Sequence, residues 1–144
     1  IARGEILGWT HADLQTDPND ALKALDFFDS IKKPLFIKGL RKGRSIYDSF
    51  FTFFMSLFEM ILLGKYMKDI NAQPTIFSKS LLESWYNPPF DFSLDLYAYY
   101  TAINGKYEIK RFPVNFPKRI YGLSKWNFSL KSKYKFIIRT ILFR

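Results

Sequence analysis

The feature that most constrains this chain is its alternation of short β-type runs with helical stretches. Residues 5–12 (EILGWTHA) read as a strand with little polar interruption, of the kind covered on both faces of a sheet. Asp17 then precedes Pro18, a cap followed by a first helical position, and Ala21, Leu22, Leu25 and Phe28 mark the apolar face of the helix that follows. Residues 34–37 form a short strand, and residues 38–44 a basic loop with two glycines. Residues 45–63 make the strongest helix, closed by Gly64. An irregular turn over residues 69–73 leads to a short strand at 75–77 and a short helix at 80–85, after which Asn87-Pro88-Pro89 breaks the chain. A helix over 93–103 ends at Asn104-Gly105, and residues 107–114 alternate like a strand. This order predicts an α/β fold. At 144 residues the chain is long enough for one domain with a real core.

Charge is distributed unevenly. The net +9 resolves into −4 over residues 1–30, +6 over 31–44, −3 over 45–105 and +10 over 106–144. Two segments therefore face anions. There is no cysteine, which excludes a disulfide scaffold and thiolate chemistry and fits a reducing compartment. No run reaches the eighteen or so apolar residues that span a bilayer; residues 50–63 are interrupted by Thr52, Ser56 and Glu59. The aromatic residues between Phe50 and Phe58, at helical spacing, are expected to pack in the core rather than line a lipid groove. Residues 128–144 read as a basic amphipathic segment, with Tyr134, Ile137, Ile138, Ile141 and Leu142 on one stripe and Lys135 and Arg139 on another face. Such a segment suits an anionic membrane surface, with Trp126, Phe128 and Tyr134 at the interface. Nucleic acid is the rival partner for a basic, aromatic surface. No nucleic-acid fold motif is present, so none is expected as a partner.

His11, Asp13 and Gln15 stand at alternate positions where the first strand gives way to a loop, the side of an α/β sheet where ligands bind. A donor set of this kind suits Mg²⁺ or Mn²⁺ that takes its other ligands from phosphates and water. From spacing alone the same residues fit better a strand end followed by an acidic capping loop. Asp95 reads as a structural residue at a helix start.

Four stretches, in order, resemble family 2 glycosyltransferases of the polyprenyl-phosphate sugar transferase kind, related to dolichyl-phosphate mannose synthase. Thr10-His11-Ala12-Asp13-Leu14-Gln15-Thr16-Asp17-Pro18 resembles the family's D-A-D-L-Q-x-x-P stretch, and Gly39-Leu40-Arg41-Lys42-Gly43-Arg44 its G-x-R-x-x-R segment. Asp69, followed by Phe77 and Lys79, resembles its D-x-x-x-x-x-x-x-F-x-R segment. Pro113-Val114, then Arg119-Ile120-Tyr121-Gly122-Leu123-Ser124-Lys125, resembles its P-V…R-x-x-G-x-S-K signature.

The resemblance implies a glycosyltransferase A-type fold, here partial, with a central mixed sheet. Residues 1–127 would be the C-terminal part of the catalytic domain, and the nucleotide-binding half would lie upstream of Ile1, so the chain alone is expected to be nearly inactive. It implies metal-assisted, inverting transfer of a sugar from a nucleotide-sugar donor to a polyprenyl phosphate, at the cytoplasmic face of a membrane. Asp13 and Gln15 would hold the metal, with His11 at the first ligand position, a departure that suits Mn²⁺ better than Mg²⁺. Asp13 and Asp69 would be catalytic, Arg119, Ser124 and Lys125 would bind the acceptor phosphate, and Arg41 and Arg44 a substrate phosphate. Two alternatives stand beside this reading: the same fold acting on a saccharide hydroxyl, and a non-catalytic basic module for membranes or nucleic acid.

Overall fold

Leu35-Phe36-Ile37 is an unbroken apolar run, and such a run is at home in a strand covered on both faces. In the computed structural model, which describes residues 2–13, 15–30, 33–43, 46–91, 93–117 and 138, it opens the longest inner strand of a four-stranded sheet. The elements are β1 (Ile6–Trp9), α1 (Asn19–Ser30), β2 (Leu35–Lys42), α2 (Ile46–Leu63), β3 (Thr75–Ser78), α3 (Lys79–Glu83), α4 (Leu94–Asn104) and β4 (Glu108–Asn115). The strand order is β1-β3-β2-β4. β3 is antiparallel to both β1 and β2, and β4 is parallel to β2, with Trp9, Thr75, Lys38 and Arg111 in one row across the sheet. The protein is thus α/β with a mixed sheet.

Successive residues of β2 serve opposite layers. Leu35 and Ile37 join Ile76, Phe112 and Val114 against α1, where Ala24 is fully buried and Ala21, Phe27 and Phe28 close the layer. Phe36 points the other way, into a cluster with Phe77, Met67, Ile70, Leu81, Leu96 and Tyr99 beneath α3 and α4. Its ring stacks on Tyr99 at 5.3 Å. Fully burying a side chain of this size stabilises by about 2–3 kcal/mol.

Four sequence expectations are corrected here. β1 is an edge strand of four residues, half exposed, not a run of eight covered on both faces. It stops at Trp9 because its partner β3 begins at Thr75. The basic loop over 38–44 is largely strand, since β2 continues to Lys42 in register with β4. Gly39 is there for space: a Cβ would stand 2.1 Å from the Gln73 carbonyl oxygen, where the chain crosses to bond Gly39 N–H through Pro74. The inner face of α1 is Ala21, Ala24, Phe27 and Phe28, while Leu22 and Leu25 are exposed.

The fourth correction concerns α2. It forms where expected and ends at Gly64, whose φ of +66° favours glycine. Yet its aromatic stripe faces outward: Phe50, Phe53 and Phe54 are 62%, 59% and 49% exposed. Ser56 and Glu59 are buried instead. No helix among the described residues is long and apolar enough to cross a membrane.

The interior contains a charged pair. Lys38, fully buried, donates from Nζ to Asp95 at 2.6 Å and to the Thr75 hydroxyl at 2.6 Å. Gln73 Nε2 donates to both oxygens of Asp95 at 3.1 and 3.2 Å. Burial drives the Lys38 pKa down, and the Asp95 carboxylate opposes that shift. Asp95 therefore has the structural place expected of it. Lys38→Met should lower the unfolding free energy in urea by about 3–5 kcal/mol, because it strands a buried carboxylate. Lys38→Met/Asp95→Leu should recover most of that loss, and additive losses would contradict the pairing.

Burial also pushes the Glu59 carboxyl from its usual 4.5 up to about 8. Between those values the folded protein keeps a proton that the unfolded chain releases, so stability falls as pH rises through that window. Glu59→Gln should therefore gain little over the parent in melting temperature at pH 4.5 and progressively more towards pH 8. A gain independent of pH would contradict this.

Candidate functional site

Because β1 and β2 both run opposite to β3, and β4 runs with β2, the three parallel strands end on the same edge of the sheet. That edge is where α/β sheets bind ligands. It carries the loop with His11, Asp13 and Gln15 after β1, Arg41 and Lys42 at the end of β2, and Phe116 just after β4. At normal strand spacing, β1 lies roughly 10 Å to the side of β2, with β3 between them.

Arg41 is held here by several contacts. Its backbone N–H donates to Asp69 Oδ2 at 3.1 Å, and its guanidinium Nε donates to Asp69 Oδ1 at 2.8 Å, with a second guanidinium N–H on the same oxygen. The guanidinium lies over the Phe116 ring, 5.1 Å from its centroid. Asp69 is buried and adopts a left-handed φ of +53°. Aspartate tolerates that conformation better than most residues, and strained backbone of this sort concentrates at functional turns. The structure thus brings Arg41 and Asp69 together, with the carboxylate orienting the guanidinium.

Arg111 fixes the same region from below. Its guanidinium donates to the carbonyl oxygens of Lys38, Gly39 and Lys68, and lies 5.7 Å from the Tyr99 ring centroid. It holds the turn that carries Asp69 against the end of β2.

Between this turn, the end of β2 and the inner face of α2 is a cavity of about 280 Å³. Arg41, Lys42 and Lys68 supply its cations and Asp69 its carboxylate. With Arg41 and Asp69 compensating each other, the two lysines leave the lining at +2. Ser49, Thr52 and Ser56 add three hydroxyls from α2, and Phe53 and Tyr66 line its apolar part. Cations beside hydroxyls are the donor chemistry of a phosphate or diphosphate site. These hydroxyls, and the framework roles of Lys38 and Arg111, are not picked out by the sequence reading, which singles out Asp95 alone of that framework. A signal for the hydroxyls was present: polar residues at 49, 52, 56 and 59, one helical face of an otherwise apolar stretch.

The loop after β1 is exposed at His11 and Asp13 and half-buried at Gln15. Asp13 Oδ1 accepts the Gln15 N–H at 3.2 Å, a local turn that brings the two residues together. Among the described residues, no three His, Cys, Asp or Glu side chains gather to hold a metal by themselves. The donors on the loop are one carboxylate, one amide and one imidazole. That set fits a hard divalent cation that brings most of its ligands with it as phosphate oxygens and water. Thr16, next in the chain, is buried with its hydroxyl lacking a protein partner, which an oxygen-rich ligand at the loop would satisfy.

Arg44, Arg119, Ser124 and Lys125 lie outside the described residues, as does the segment 128–144 apart from Ile138. No protein-family model and no curated protein matches this sequence.

The cavity makes a direct test of anion binding possible. Inorganic pyrophosphate titrated calorimetrically at low ionic strength should bind, and Lys68→Ala should weaken it about tenfold, the loss of one charged hydrogen bond. Equal affinities would remove Lys68 from the site.

Proposed function

We propose that this chain is the C-terminal part of a glycosyltransferase A-type catalytic domain that moves a sugar from a nucleotide-sugar donor to a polyprenyl phosphate at a membrane surface. The reading rests on the four motif resemblances. The observation that supports it most is topological: the Asp13 loop and the Arg41 cavity share one edge of a mixed α/β sheet.

The chemistry suits such an edge. An oxygen of the acceptor phosphate attacks the anomeric carbon as the bond to the nucleoside diphosphate breaks, and the diphosphate leaves with the electron pair. The acceptor is mostly ionised near neutral pH, its second pKa being about 6, so the step needs oriented cations more than a general base. Asp13 and Gln15, with His11, would hold a divalent cation, Mn²⁺ in preference to Mg²⁺ given the imidazole. Such an ion supplies charge stabilisation to a leaving diphosphate. Arg41, oriented by Asp69, and Lys68 would hold a phosphate in the cavity. The basic segment with Arg119, Ser124 and Lys125 continues the chain from the same edge and would meet the acceptor phosphate. Asp69, paired with Arg41, takes the role of a positioning residue in this scheme.

In the full-length protein, Asp13→Ala should lower metal-dependent transfer by at least about a hundredfold. Arg119→Ala should raise the KM for the lipid phosphate far more than that for the donor. Undiminished turnover in the first variant would remove the metal assignment, and equal KM effects in the second would remove the acceptor site. Transfer to a free saccharide, and none to lipid phosphate, would replace the acceptor class.

A further inference from the structure

α2 is built inside out for a helix of a water-soluble fold. At 100° per residue, Phe50, Phe53, Phe54, Leu57 and Ile61 fall on one face, and Ser49, Thr52, Ser56 and Glu59 on the opposite one. Of that polar face Ser56 and Glu59 are buried and Thr52 is half-buried. Phe50, Phe53 and Phe54 turn outward and contact one another, with ring centroids 4.6 and 5.8 Å apart, and Ile61 is 75% exposed. An apolar stripe running most of an 18-residue helix, about 27 Å long, marks an interaction surface.

The surrounding charge selects the partner. Lys42 precedes the helix and Lys65 and Lys68 follow it, three cations against Asp48 within it, and the helix's other acidic residue, Glu59, is turned inward. Phe53 lines the cavity that also holds Lys42 and Lys68, so part of the stripe adjoins cations. A second copy placed symmetrically on the stripe would oppose these lysines to their own equivalents. The chain's own residues 118–144 carry eight basic and no acidic side chains, so they too would meet like charge. An anionic partner is favoured, and an exposed aromatic stripe needs no shaped pocket when its partner is lipid.

We infer that α2 docks on an anionic lipid surface, with Phe50, Phe53, Phe54 and Ile61 inserted between the acyl chains and the lysines at its ends among the headgroups. The helix lies in the plane of the interface and does not cross it. This docking is separate from sugar transfer and separate from any contribution of residues 128–144. It turns the cationic cavity towards the headgroup layer, where a phosphate carried on a lipid is presented.

The test is co-sedimentation of the full-length protein with vesicles, without nucleotide sugar. Mixed phosphatidylglycerol–phosphatidylcholine vesicles should bind the parent, more weakly as salt rises. The F50S/F53S/F54S variant should bind about tenfold less or weaker still, with an unchanged melting temperature because these rings are exposed. Equal partition of parent and variant overturns the proposal. So does a large fall in melting temperature, which would mean that another part of the chain covers the stripe. A change in native mass would equally overturn it, assigning the stripe to a second copy.

Discussion

The buried Lys38–Asp95 pair organises most of what surrounds it. A lysine with no solvent exposure is tolerable only where its charge is met and its protons are bonded. Asp95 supplies the charge from the first turn of α4, and Thr75 and Gln73 complete the hydrogen bonding. Four residues from three parts of the chain are thereby fixed at one level of the sheet. α4 is pinned to β2, and the segment entering β3 is pinned to both.

That constraint passes outward to the ligand edge. Gln73 leads back through a short turn to Asp69, and the Arg111 guanidinium ties Lys68 to Gly39 in the same layer. Asp69 is held where it takes the Arg41 guanidinium at the tip of β2. The cations of the cavity therefore stand on an interior framework and not on a free loop, and preorganised charge of this kind does most for a developing anion. α2 closes the cavity with Ser49, Thr52 and Ser56 together with Phe53, while Phe50 and Phe54 face outward.

Much of the fold was legible because periodicity is local. The helices at α2 and α4 and the strand at β4 lie within a few residues of where pattern placed them. β2 was cut short because Lys38, Gly39 and Lys42 read as loop chemistry. What makes Lys38 a strand residue is a carboxylate 57 positions away, and what selects Gly39 is the Gln73 carbonyl packed on it. Neither is visible in a window of neighbouring residues. For α2 the aromatic spacing reads as a core face, whereas burial falls on Ser56 and Glu59 and leaves Phe50, Phe53 and Phe54 exposed. The candidate site divides in the same way. Arg41 and Asp69 came from motif resemblance, whereas the framework that unites them consists of long-range contacts.

The proposed sugar transfer needs the loop after β1 and the basic residues 119–125 to lie across one edge of the sheet from each other, with two phosphorylated substrates between them. Because the chain contains no cysteine, spin labels can be placed in it selectively through Ala12→Cys and Leu123→Cys, and pulsed electron paramagnetic resonance reads the distance between them. Shared placement on that edge gives a short distance, the sheet's width of roughly 15 Å plus the label arms. A distance near 30 Å plus the label arms, roughly the diagonal of that width and an eight-residue strand of about 26 Å, would put the two groups at opposite ends of the sheet and rule this arrangement out.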